Sequence, residues 1–264
     1  MFLLLNRLYR YQKSALGLRI KQNFAHEANW VFSRTACLGN DAFALIEQDS
    51  LLFRVNLQKG RTDLLLGNPK FNARRNQFAI LKFIQRDDVI WHILGQSDRR
   101  YKKMPKPRYI LFDSYSDLTD IEFLDKSSGT RFFCHKSDLV PLNESGNEIS
   151  IIGHLNLENI ESMYKRLFDS FHFLWGVDIT LFFIHFPTKL ETRDLYIRRA
   201  KLIEMAIDKL ANLDKTIVPI KIPEYIVQPE ILPNGEVSTF PYHFSEDSKR
   251  YIADELVRLI NRPY

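Results

Sequence analysis

The chain has 264 residues, 45% of them hydrophobic, enough for one large domain or two small ones with a sizeable core. Its 37 basic and 32 acidic residues leave a net charge of +5, a mixed surface rather than a nucleic-acid footprint. The two cysteines, Cys37 and Cys134, form neither a metal spacing nor a disulfide framework. A reducing, cytoplasmic compartment and no metal are therefore expected.

The opening apolar run of MFLLLNRLYRYQK is too short for a signal-peptide core or a membrane span. Residues 2–22 fit a basic amphipathic helix, with Arg7, Arg10 and Lys13 beside Leu4, Leu5 and Leu8. Such a helix suits peripheral contact with an anionic membrane, or packing on the domain or on a second subunit. Residues 1–28 are read as an appendage and 29–264 as one α/β domain.

Asn29 to Phe32 reads as a short buried strand, running into Ser33-Arg34-Thr35-Ala36-Cys37. Asp41 then stands as N-cap of a helix carrying Phe43, Leu45 and Ile46. Strand, small hydroxylated turn and helix together make a common platform for a nucleophile or a phosphate. Gly39 stands alone, so neither a P-loop nor a dinucleotide fingerprint is present. Ser33 lies nearest the strand end, and Cys37 reads as buried packing.

Leu51 to Leu57 is a second strand candidate, and Gly67-Asn68-Pro69 marks a turn. Arg74 and Arg75 open a helical stretch, facing either an anionic ligand or solvent. Val89 to Leu94 is a buried strand or helix fragment. Tyr109 to Phe112 is a strand ending in Asp113-Ser114-Tyr115-Ser116-Asp117, the densest polar cluster of the chain. Two readings of that cluster stay open: a ligand-binding sheet edge, or a loop whose side chains satisfy their own backbone.

A loop bearing Cys134-His135-Lys136-Ser137-Asp138 follows, and the polar segment 143–147 marks a break. Residues 157–175 form an amphipathic helix, and Ile179 to Phe186 has the unbroken apolar run of a parallel strand. Thr192 to Leu213 is the longest helix, with Leu195, Leu202, Ile203, Ala206 and Leu210 inward. Ile217 to Ile222 is the next strand. A long proline-rich loop, 223–240, leads to His243, two residues ahead of a helix with Ser245 as N-cap and Ile252, Leu256 and Leu259 inward. Held by a packed helix at a surface, His243 suits a general base. The alternation indicates a three-layer α/β sandwich with a central, mostly parallel sheet.

In this order of elements the chain resembles SGNH-type (GDSL-like) hydrolases and acyltransferases. Three stretches carry the likeness: His243-Phe244-Ser245 before the last helix; Phe112-Asp113-Ser114-Tyr115-Ser116-Asp117, similar to Phe-Gly-Asp-Ser-x-Ser-Asp; and Thr35-Ala36-Cys37 with Asn40-Asp41-Ala42-Phe43. The third is similar to the Gly-Ser-Cys and Arg-Asp-Ala-Phe of SGNH-like proteins from bacterial polysaccharide gene clusters. The resemblance implies a flavodoxin-like sandwich and serine-dependent acyl-ester chemistry on a carbohydrate. O-acetyl transfer from acetyl-CoA in capsule or surface-polysaccharide synthesis is the specific expectation.

The nucleophile would be Ser33 or Ser114, with His243 as base and Arg34, Asp113 and Ser116 as substrate or oxyanion contacts. Two positions depart from the pattern. Phe240 stands where the family keeps its acid, three residues before the histidine, so a carboxylate such as Glu236 would have to orient the ring. Ala36 stands where the looser relatives have serine. A non-catalytic carbohydrate-binding or assembly protein is the alternative. A glycosyltransferase is disfavoured by the lack of an Asp-x-Asp motif, and a nucleic-acid module by the spread of its basic residues.

Overall fold

The computed structural model describes residues 30–47, 53–67, 79–96, 98–141 and 148–261. The expectations for residues 2–22, Arg74, Arg75 and 143–147 lie outside them. Three apolar runs form the middle of a five-stranded sheet: β1 (Trp30–Arg34), β3 (Tyr109–Asp113) and β7 (Leu181–Ile184), every residue buried. Strands covered on both faces need such unbroken runs, and all pairings are parallel. With β2 (Phe53–Asn56) and β8 (Ile217–Ile220) at the edges, the order is β2-β1-β3-β7-β8.

From β1 the chain crosses through α1 (Cys37–Glu47) to β2 on one side. From β3 it crosses the other way, through α5 (Ile160–Trp175) to β7 and α6 (Asp194–Leu213) to β8. Right-handed crossovers in opposite directions place α1 on one face and α5 and α6 on the other. The last helix, α7 (Glu246–Ile260), packs on α1, which completes three layers. The crevice between the carboxyl ends of β1 and β3 is the point where the winding reverses.

The β3-to-β7 connection holds an antiparallel sheet to which the sequence pattern assigns no strands. It follows α4 (Tyr115–Thr119) and consists of β4 (Ile121–Asp125), β5 (Thr130–Cys134) and β6 (Ile149–His154) in the order β5-β4-β6. Gly129, at φ +68°, closes the β4–β5 hairpin where other residues would be strained. Phe123 and Phe132 of this sheet share a small separate core with Ile80, Phe83, Ile90 and Ile93. Of these, Ile90 and Ile93 belong to α3 (Ile90–Gly95), which settles the Val89 to Leu94 ambiguity as helix. Lys59, 3% exposed, ties the two sheets by reaching Asp138 at 2.8 Å and Asp120 at 3.3 Å.

Other boundaries differ from expectation. α1 begins at Cys37, so Asp41 lies inside the helix instead of capping it. On α6 the buried residues are Tyr196, Arg199, Ile203, Ala206, Ile207 and Leu210, while Leu195 and Leu202 are exposed. Ser245 occupies the N-cap position of α7 without a side-chain capping bond. No helix among the described residues is long and apolar enough to cross a membrane.

At the winding reversal the framework is polar. Arg34, the last residue of β1, is 0% exposed, and its Nη1 donates to Asp117 of α4 at 2.6 Å. It also donates to the Gly60 carbonyl, to Thr62 Oγ1, which opens α2 (Thr62–Leu66), and to the Asp113 carbonyl at 2.7 Å. Asp117 also accepts from the Thr62 amide and hydroxyl and from Tyr164 OH of α5. Burial pushes the Asp117 carboxyl up, but Arg34 and Thr62 overcome this and hold it below the usual carboxylate range.

Asp117→Ala leaves Arg34 charged and unpaired in the core and should cost about 3–5 kcal/mol, read by urea denaturation. A second expectation concerns His135 and His185, each 7% exposed and each pushed down to about 4, chiefly by burial. Unfolding returns them to about 6.5, so between those values the unfolded chain binds more protons. Stability present above pH 6.5 should fall as the pH drops towards 4, by at most about 1.4 kcal/mol per pH unit for each histidine. His185→Phe should flatten that slope in urea titrations; an unchanged slope would assign it to other groups.

Candidate functional site

A cleft of about 330 Å³ opens at the carboxyl edge of the parallel sheet, beside the winding reversal. Cys37 and Asp41 of α1 line it with Gln58 from the loop after β2 and His92 from α3. Glu230 and His243 of the last long loop and Lys249 of α7 complete the wall. Among the described residues no group of three His, Cys, Asp or Glu side chains is placed to hold a metal ion.

The turn that presents Cys37 is clamped from both neighbouring strands. Asn56 of β2 holds Thr35 twice, accepting from its amide at 3.0 Å and donating to its carbonyl at 2.9 Å. Asp113 at the end of β3 accepts the Ala36 amide at 2.6 Å and the Tyr115 amide at 3.1 Å, one on each carboxylate oxygen. Gly39 lets the turn pass over the strand end, since a Cβ there would lie 2.8 Å from Thr35 Cβ. The helical ladder starts with Asn40 N–H to the Ala36 carbonyl, so the amides of Cys37, Leu38 and Gly39 precede it. An exposed thiol thus sits on the first residue of an 11-residue helix, beside amides that attract negative charge.

The expected site residues separate into two groups. Ser33 is 0% exposed and its hydroxyl donates to the Val55 carbonyl. Ser114, 2% exposed, accepts the Phe186 amide at 3.0 Å. Both hydroxyls are committed inside the core and neither lines the cleft, so the structure does not bring Ser33 or Ser114 together with His243 there. Arg34 and Asp113 likewise lie off the cleft: the first is sealed in its pairing with Asp117, and the second holds the Cys37 turn. Ser116 is spent on the Gln58 carbonyl at 2.5 Å and also lies off the cleft. His243 does reach the cleft, together with Cys37, for which the sequence favours packing over a thiolate. The place of Cys37 in Thr35-Ala36-Cys37, on the turn that follows β1, is the sequence signal for its position at the cleft.

The carboxylate nearest His243 is not the one the sequence suggests. Glu236 pairs with Asn234 on the surface, whereas Glu230 Oε2 lies 3.5 Å from His243 Nδ1. Burial lowers the His243 pKa; Glu230 opposes this while Arg86 and Lys249 reinforce it. Although solvent reaches Cys37, most of the surroundings of its sulfur are protein. That burial, with Asp41, pushes the thiol up against the pull of Lys59. At neutral pH the two groups are therefore a neutral thiol and a neutral imidazole, so a nucleophilic thiolate requires proton transfer to a base.

Burial pushes Asp113 up to about 7, against Arg34 and its two amide donors. Asn at this position can accept only one of the two amides. Asp113→Asn should destabilise the fold by about 1–3 kcal/mol and loosen the Cys37 turn. Urea denaturation and amide hydrogen exchange at Ala36 and Tyr115 measure the two effects. Comparison with family models and with curated proteins finds no match to this chain.

Proposed function

We propose that the chain is an acyl-transfer enzyme whose nucleophile is Cys37 and whose general base is His243. The observation that carries this reading is the convergence of an exposed helix-start thiol and a histidine on one cleft at the sheet's carboxyl edge. In the first step His243 takes the thiol proton as sulfur attacks the acyl carbonyl. The carbonyl becomes an oxyanion facing the amides at the start of α1. Collapse expels the leaving group, which recovers the proton from His243, and leaves a thioester on Cys37. An acceptor hydroxyl, or water, then repeats the cycle and releases the thiol.

Acetyl-CoA suits such a nucleophile as donor, because exchange of one thioester for another involves little change in bond energy. Carbohydrate as acceptor rests on the resemblance to SGNH-type enzymes, and the polar lining of Asn40, Asp41, Gln58 and Glu230 is compatible with hydroxyl groups. The same lining supports a second reading, a binding protein for a hydroxyl-rich ligand without chemistry.

Incubation with acetyl-CoA or p-nitrophenyl acetate, followed by intact mass and peptide mapping, separates the two. The first reading predicts one acetyl group on Cys37 and none on buried Cys134. It should be absent in Cys37→Ala and formed about 100-fold more slowly in His243→Ala. Folded wild-type protein that takes up no acyl group from either donor would overturn the acyl-transfer reading in favour of the binding protein.

A further inference from the structure

The loop that delivers His243 is not irregular where it matters. Residues 228–245 fold back on themselves, with antiparallel bridges pairing Pro229 with Phe244 and Ile231 with Val237. Between the bridges the Glu230 amide donates to the His243 carbonyl at 2.9 Å, and just outside them the Ser245 amide donates to the Gln228 carbonyl at 2.9 Å. Asn234 and Gly235 supply the turn, with Gly235 at φ +83°. Glu230 is thus fixed opposite His243 by main-chain bonds, independently of any attraction between the side chains. The His243 ring is held on another side by Phe240, with ring centroids 4.8 Å apart.

The Glu230 carboxylate is shared. Oε2 lies 3.5 Å from His243 Nδ1, and Oε1 accepts from Lys249 Nζ at 3.1 Å. Lys249, on the first turns of α7, also lies 3.3 Å from Asp41 Oδ2 on α1. One ammonium therefore links the nucleophile's helix, the histidine's carboxylate and the last helix.

We propose that Glu230 is the positioning residue of His243, holding the proton on Nδ1 and leaving Nε2 as the basic nitrogen, and that Lys249 sets the carboxylate's orientation and limits its pull on the ring. A carboxylate on Nδ1 favours the imidazolium formed when His243 takes a proton; the Lys249 ammonium disfavours it. Position 240, the sequence neighbour where the resemblance would place an acid, is replaced in this role by a residue across a backbone bridge.

The groups facing His243 are Glu230 from its own loop, Lys249 from α7, Asp41 from α1 and Arg86 from the segment before α3. Asp88 and His92 line the same cleft, with His92 kept neutral above a pKa of about 4 by burial first and by Lys59 second. Ser238 Oγ, 3.4 Å from Nδ1, is the competing partner.

The inference deepens the acyl-transfer reading, and its test is read first without activity. NMR titration of the His243 ring in folded full-length protein gives its midpoint, with thermal unfolding confirming that each variant is folded. Glu230→Gln should move the midpoint down by about one pH unit, whereas Lys249→Met should move it up, with Lys249→Gln as a second variant. Ser238→Ala should leave it in place, and Glu230→Asp should keep most of the wild-type value. Opposite shifts from two neighbouring residues are not what general loosening of a loop produces. In the wild type, acylation of Cys37 should rise with pH through the His243 midpoint. In Glu230→Gln that rise should move to lower pH with a reduced plateau. An unmoved midpoint in Glu230→Gln, or a shift only in Ser238→Ala, would overturn the assignment. The expected shifts without acylation of wild-type Cys37 would instead overturn the acyl-transfer reading and leave Glu230 as the histidine's partner.

Discussion

The pairing of Arg34 with Asp117 is the constraint on which the rest of the structure depends. It lies where the sheet reverses its winding, joining the end of β1 to the helix after β3 with no solvent exposure at either side chain. A charge pair in that place has little net stabilising value over a well-packed apolar pair, since both ions must be stripped of water. Its value is geometric. Arg34 also bonds the Asp113 carbonyl, and the Asp113 carboxylate holds the turn that carries Cys37. The site's position is thus set two bonds away from the pair.

That arrangement explains why the densest polar cluster of the sequence does not line the cleft. Asp113, Ser114, Ser116 and Asp117 are buried, and each is spent on backbone or on another buried group. They satisfy the polar groups that a winding reversal exposes inside a protein, where an unpaired donor or acceptor is costly. The side chains that line the cleft stand one layer outward, on α1, the last loop and α7.

The parallel sheet was legible because buried strands need unbroken apolar runs, as in Trp30-Val31-Phe32 and Leu181-Phe182-Phe183-Ile184. The long helices were legible from their spacing, although Leu195 and Leu202 show that the inward face of α6 is narrower than the spacing implies. The second sheet was not legible, because Ile121-Glu122-Phe123-Leu124-Asp125 and Thr130-Arg131-Phe132-Phe133-Cys134 alternate imperfectly and resemble loop. Of the cleft lining, His243 was legible from its place before a helix. Glu230 was not, because a main-chain bridge between distant loop segments, here Pro229 with Phe244, leaves no periodic signature in the sequence. Ser33 lies off the cleft, in a strand buried on both faces, with its hydroxyl bonded to the Val55 carbonyl.

The central claim is that Cys37 is an accessible nucleophile served by His243. The most direct measurement is the rate of haloacetamide alkylation of Cys37 and Cys134 in the native protein across pH, resolved by peptide mass spectrometry. The account predicts that Cys37 is modified while Cys134 stays protected, and that His243→Ala changes the pH dependence of Cys37 alone. A Cys37 as unreactive as Cys134, or a pH profile indifferent to His243, would contradict it.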